Sequence, residues 1–185
     1  MTEKESFLKG LRILAVDDEE DILETIVEIL DEARVDTARE YQSASQKIKE
    51  HKYDLAILDI MGVDGLKLLE EAVTREIPTV MLTAHAISPA TLMESIQKGA
   101  MSYLPKESLA DLDDLLDDLL GAYHSGEPPW KLLFEKLGDF FDKRFGSEWK
   151  QKDQEFWSEF SRSYQVGKGI QERLKHDRSI IDKGI

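Results

Sequence analysis

Cysteine is absent from these 185 residues. Its absence excludes disulfides and thiolate metal sites and is compatible with a reducing compartment. Long apolar runs are missing too: none approaches the roughly 20 residues that a membrane-spanning helix needs. The start, Met1-Thr2-Glu3-Lys4-Glu5, lacks the basic-then-apolar pattern of a secretory signal. A soluble cytoplasmic protein is therefore expected. Positive charge is also in deficit, with a formal net charge of −14, and the deficit is uneven. Residues 1–126 hold 12 Lys and Arg against 27 Asp and Glu, whereas residues 127–185 hold 12 against 11. The acidic part would repel nucleic acid and membrane surfaces, and the near-neutral part is no basic patch. Neither DNA nor a membrane is an expected partner. There is no internal repeat and no low-complexity segment. No helix-turn-helix, nucleotide-binding or hydrolase motif is found.

What is present is alternation. Leu11–Val16 reads as a strand, followed by apolar residues at helical spacing from Ile22 to Leu30, a helix running to about Ala33. Val35–Arg39 is a short strand and Ser43–His51 a helix. The run Ala56-Ile57-Leu58 is apolar enough for a buried parallel strand and ends in Asp59. A helix over Leu66–Thr74 follows, then a strand from Pro78 to Leu82 ending at Thr83. Ser88-Pro89 has the signature of a helix start, and Gly99 of its stop. Met101–Leu104 is a fifth strand, and Ser108 is expected to cap a last helix whose leucines (109, 112, 115, 116, 119, 120) share one face. Five such alternations predict a parallel sheet covered by helices on both sides.

Gly126-Glu127-Pro128-Pro129 breaks this pattern. It divides an α/β domain, 1–126, from a helical extension, 127–185. The extension carries two amphipathic stripes, from Trp130 to Phe145 and from Trp149 to Tyr164, turning at Phe145-Gly146-Ser147 with Ser147 as cap. Gly167 and Gly169 would end the second helix, and Ile170–Ile181 would form a short third. The stripes suit two helices packed on each other or on the first domain. They suit equally a dimerisation or partner-docking surface.

The chemistry-bearing residues follow the strands. Asp17 and Asp18 follow the first, Asp59 the third, Thr83 ends the fourth and Lys106 follows the fifth. With strand order 2-1-3-4-5 they would gather at one edge of the sheet, where open α/β folds do their chemistry. Two carboxylates about 4 Å apart repel by about 4 kcal/mol at an effective dielectric near 20. The cluster therefore needs counter-charge. A hard divalent cation such as Mg²⁺ suits oxygen-only ligands and keeps waters that a phosphate can replace; Lys106 adds a point charge. This set suits phosphoryl transfer to the Asp59 carboxylate. Thr83 is placed to donate to a phosphate oxygen. His85 is either a modulator of water attack on the phosphoryl group or a plain loop histidine.

The order Val16-Asp17-Asp18-Glu19, a strand ending in Asp59, Leu82-Thr83-Ala84 and a late Lys106 resembles the receiver domain of two-component response regulators, over roughly residues 10–124. The resemblance implies a flavodoxin-like, doubly wound five-stranded parallel sheet of order 2-1-3-4-5, here with a C-terminal all-α extension. It implies that Asp59 takes phosphate from a sensor histidine kinase or a phosphotransfer protein. It implies that Asp18, Asp59 and the Met61 carbonyl bind Mg²⁺ directly, with Asp17 acting through water. Thr83 and Tyr103 resemble the family's switch pair, although Tyr103 also suits a fixed core position. The resemblance further implies a signalling switch rather than an enzyme with a separate substrate, acting on a downstream protein partner. The chain departs from the family at two places. The loop from Asp59 to Gly65 is about two residues shorter than usual, and proline precedes Lys106 instead of following it. These departures leave two alternatives open: a constitutive scaffold with a degenerate receiver, and a transcription regulator with an unfamiliar DNA-binding tail.

Overall fold

Three short apolar runs, at residues 13–16, 55–58 and 79–83, form the middle of a five-stranded sheet, because side chains that are apolar on both faces are buried by helix-covered parallel strands. The computed structural model describes residues 4–85 and 87–166. The elements alternate as β1 (Arg12–Val16), α1 (Glu20–Ile29), β2 (Arg34–Ala38), α2 (Tyr41–Glu50), β3 (Leu55–Leu58), α3 (Gly65–Thr74), β4 (Thr79–Thr83), α4 (Pro89–Gln97), β5 (Ser102–Pro105) and α5 (Leu112–Ser125). Then come α6 (Pro129–Phe145) and α7 (Gln154–Val166). The sheet order is β2-β1-β3-β4-β5, and every pairing is parallel. This is the doubly wound α/β architecture that the alternation predicts.

The three central strands are buried along their length except for the half-buried Arg12. The sheet is flanked by Leu23 and Ile26 of α1, Ala44 and Ile48 of α2, Leu68, Leu69 and Ala72 of α3, Leu92 and Ile96 of α4, and Leu112 and Leu116 of α5, all buried. At its borders, β2 exposes Arg34 and half-buries Asp36, while all four residues of β5 are buried and its last is Pro105.

One helix start carries its expected local signal. The Ser88 hydroxyl accepts from the Thr91 amide at 3.1 Å, with Pro89 opening α4, as expected of that dipeptide. Two expected caps are corrected. Ser108 does not cap α5: its hydroxyl donates to the Pro105 carbonyl at 2.7 Å and holds a 3₁₀ turn over Lys106–Asp111, so α5 starts only at Leu112. Ser147 caps nothing either. Gly146 turns the chain at φ 90, and a second 3₁₀ turn over Trp149–Asp153 precedes α7. The Trp149 indole N–H donates to Asp142 of α6 at 2.9 Å, which winds this turn back onto the preceding helix.

Two compact units divide between Gly121 and Ala122, inside α5. The helix itself runs on to Ser125, ahead of the Gly126–Pro129 break. The second unit is organised by rings. Phe134 meets Trp130, Phe141, Trp157 and Phe160 with centroids 6.3, 6.0, 5.9 and 5.9 Å away. The Lys150 ammonium lies 4.7 Å over Phe134 and 5.4 Å over both Trp149 and Trp157, and burial there lowers its pKa. The helix stop expected at Gly167 and Gly169 and the helix expected from Ile170 to Ile181 lie outside the described residues. No helix among the described residues is long and apolar enough to cross a membrane.

Candidate functional site

Strand register assembles the site. Val16 lies opposite Leu58 in the β1–β3 pair, so the next residues, Asp17 and Asp59, emerge beside each other. The Asp59 amide donates to the Val16 carbonyl at 2.9 Å, extending that pairing. On the other flank, Thr83 is opposite Pro105, and Lys106 is the next residue after it. Each apolar strand thus ends where a polar side chain is needed, at the carboxyl edge of the sheet.

The Lys106 ammonium sits between two carboxylates. It lies 2.8 Å from Asp17 Oδ2 and 3.0 Å from Asp59 Oδ2, with Glu19 Oε1 at 3.9 Å. Its side chain is 8% exposed, against 2% and 5% for those of Asp17 and Asp59. The other oxygen of each aspartate accepts a backbone N–H, Asp17 Oδ1 from Glu19 at 2.9 Å and Asp59 Oδ1 from Ile60 at 2.8 Å. Burial raises the Asp17 pKa, although Lys106 and the Glu19 amide pull the other way. Burial also opposes the Lys106 charge, but its hydrogen bonds to Asp17 and Asp59 outweigh that, and its pKa is raised.

Asp17, Asp18 and Glu19 bring one carboxylate oxygen each within 4.8 Å of one another. Asp59 is joined to this group through Lys106. Asp17 is buried and Asp18 and Glu19 are exposed; oxygen-only donors crowded by like charge fit a hard divalent cation. Glu19 was not among the expected site residues. Its sequence signal is its place at the end of Val16-Asp17-Asp18-Glu19. The exposed His85 lies 3.7 Å from Glu19.

The β3–α3 loop closes over this edge. Met61 is 55% exposed, and Gly62 has φ +82 and lies against the Asp18 carboxylate. Thr83 is fully buried, and its hydroxyl has no hydrogen-bond partner among the described residues. Tyr103 is fully buried as well. Its hydroxyl pairs with Thr91 Oγ1 at 2.8 Å and accepts the Ser88 amide at 3.3 Å, so β5 is tied to the start of α4. Thr91 and Ser88 are further residues that the sequence did not mark as partners of Tyr103. A hydroxyl pair twelve residues apart has no periodic signature.

Against known proteins, the model described as "Response regulator receiver domain" matches residues 13–119. Among curated relatives, two-component response regulator ARR10 of Arabidopsis thaliana is 35% identical over 109 residues, covering 55% of this chain and 20% of that protein. The phosphate regulon transcriptional regulatory protein PhoB of Klebsiella pneumoniae is 37% identical over 103 residues, covering 51% of this chain and 44% of that one. The chain therefore spans less than half the length of either relative. A Francisella response regulator receiver domain superposes with TM-score 0.53 at 26% identity, covering 60% of this chain and 96% of that one. A CheY-like receiver domain from Methanospirillum hungatei JF-1 gives TM-score 0.52 at 27% identity, covering 61% and 98%.

Proposed function

Since this chain belongs to the response regulator receiver domain family, we propose that it is a phosphorylation-dependent signalling switch whose phosphoacceptor is Asp59. A phosphohistidine on a sensor histidine kinase or a phosphotransfer protein is the donor. A carboxylate oxygen of Asp59 attacks phosphorus, the P–N bond breaks, and its electron pair stays on the imidazole, which takes up a proton. The product is an acyl phosphate, the covalent form open to a carboxylate nucleophile. Lys106 neutralises charge on the transferred oxygens, and the Thr83 hydroxyl donates to one of them. Asp17, Asp18, Asp59 and the Met61 carbonyl are the donors we assign to Mg²⁺. That ion, when bound, supplies further positive charge against the phosphoryl oxygens.

The observation that carries this reading is the buried Lys106 ammonium held between Asp17 and Asp59. Preceding proline notwithstanding, the 3₁₀ turn delivers the lysine to both carboxylates. Incubation with a small phosphodonor and Mg²⁺ should add one hydroxylamine-sensitive phosphoryl group to the wild type and none to Asp59→Asn. Labelling that persists in Asp59→Asn rejects the assignment.

Phosphorylation would bias an existing two-state equilibrium, read out through protein contacts of residues 127–185. The reading implies a cytoplasmic chain with a downstream protein partner. A second reading, a constitutive scaffold, is favoured by Tyr103 already being buried and tied to α4. Equal partner capture by the full chain with and without a beryllofluoride phosphate mimic would support the scaffold.

A further inference from the structure

We propose that Gly62 is a positioning residue that sets where the Asp18 carboxylate stands for a divalent cation. This rests on the metal reading above and concerns the loop between β3 and α3. A Cβ built on Gly62 would fall 2.4 Å from Asp18 Oδ2, 2.6 Å from its Cγ and 3.0 Å from Oδ1. Cβ atoms essentially never sit closer than 3.0 Å to another atom, so the carboxylate would have to move. The carboxylate therefore rests directly on the Gly62 main chain. Asp18 is exposed, and among the described residues its main-chain carbonyl, not its carboxylate, is hydrogen-bonded, accepting from Arg39 at 3.3 Å.

The loop is held as tightly at its far end. A Cβ on Gly65 would fall 1.6 Å from the Asp59 carbonyl oxygen, and the Gly65 amide donates to the Ile60 carbonyl at 2.9 Å. A methyl group at 62 thus meets a carboxylate that can retreat. The carboxylate is the end of a short rotatable side chain, so it yields. A cation that demands near-octahedral oxygens at about 2.0–2.1 Å does not accept a ligand displaced by even one ångström. Loop length and glycine at 62 together keep Asp18 in range.

The test uses the full chain and Mn²⁺ alone as probe, titrated to saturation with the unbound ion read by electron paramagnetic resonance. Gly62→Ala is expected to weaken Mn²⁺ binding about tenfold or more, the range seen when groups supporting a metal ligand are removed. In an Asp18→Ala background the same substitution should change affinity by less than about twofold, since the carboxylate it displaces is gone. Gly10→Ala controls for backbone strain alone, because Gly10 has φ +73 with nothing within 4 Å; it should leave Mn²⁺ binding unchanged. Should Gly62→Ala fail to fold by circular dichroism, Gly62→Asn replaces it. Asparagine tolerates a left-handed backbone yet carries the same Cβ, and the same loss is expected. Wild-type affinity in the Gly62 variant, or an equal loss with and without Asp18, overturns the proposal. A wild-type chain that binds no Mn²⁺ overturns the metal reading itself.

Discussion

Replacing Lys106 by methionine keeps much of the stem and deletes the charge that bridges two buried carboxylates. The oxygens of Asp17 and Asp59 both touch its ammonium, at 2.8 and 3.0 Å, so they lie at most about 6 Å apart. At that separation, two unit charges repel by roughly 3 kcal/mol at an effective dielectric near 20. Removing one partner of a buried ion pair typically costs about 3–5 kcal/mol. The two figures agree, and we expect a loss of about 3 kcal/mol at neutral pH without divalent cations. The lower end is expected because Asp17, whose pKa burial has already raised, can take up a proton.

The pH dependence follows from the signs. Asp17 has a folded pKa above its ordinary 3.8, so its favourable share is complete below 3.8 and lost as pH rises through the folded value. The deficit of Lys106→Met should therefore shrink in acid, where no carboxylate pair is charged. Lys106 has a folded pKa above its ordinary 10.5, so its own share is complete below 10.5 and vanishes only as pH rises through the folded value. Urea denaturation of both proteins across this range, with chelator, measures the difference. A neutral-pH difference below about 1 kcal/mol, or one that grows in acid, refutes the electrostatic account.

Gly65→Ala should cost more than about 4 kcal/mol or prevent folding, since its Cβ would overlap the Asp59 carbonyl oxygen; a melting temperature within a few degrees of wild type contradicts this. Tyr103→Phe should lose about 0.5–1.5 kcal/mol by chemical denaturation, the usual worth of one hydrogen bond, and an unchanged midpoint would mean the Thr91 contact is idle. Asp36 accepts from Tyr53 at 2.8 Å and Arg12 at 3.2 Å, and these bonds outweigh burial and hold its pKa below 3.8. Its contribution is thus present above 3.8 and lost as pH falls through the folded value, so the stability gap to Asp36→Asn should close in strong acid; a constant gap argues against the pairing. All three tryptophans, 130, 149 and 157, fall in the second unit. Phe141→Ala, at a fully buried ring, should lower the tryptophan-monitored transition by about 3–5 kcal/mol, and emission that melts as in wild type refutes the ring cluster as that unit's core.

Strands and their polar ends were legible because a parallel strand buried on both faces reads as an apolar run, and Asp59 or Lys106 interrupts it where the sheet stops. Legibility failed where a side chain chose between two local partners. Ser108 and Ser147 both carry a capping hydroxyl, but one braces a 3₁₀ turn and the other precedes one. Helix α1 ends at Ile29 rather than near Ala33, because the Arg34 amide is drawn to the Leu11 carbonyl at 2.7 Å as β2 begins. The contact of Gly62 with Asp18 joins two loops and leaves no periodic trace. Glycine at 62 reads as an ordinary turn residue until the carboxylate above it is seen.

The two outermost strands bear on how copies of this molecule can meet. A bare strand at the rim of a sheet is a template for another chain, and proteins disarm it with charge, proline, brevity or cover. Here Arg34 and Asp36 guard one rim, and a four-residue, buried strand ending in proline guards the other. Charge on one rim, and brevity with a terminal proline on the other, are the devices that work against lengthening of the sheet from molecule to molecule, the route to fibres.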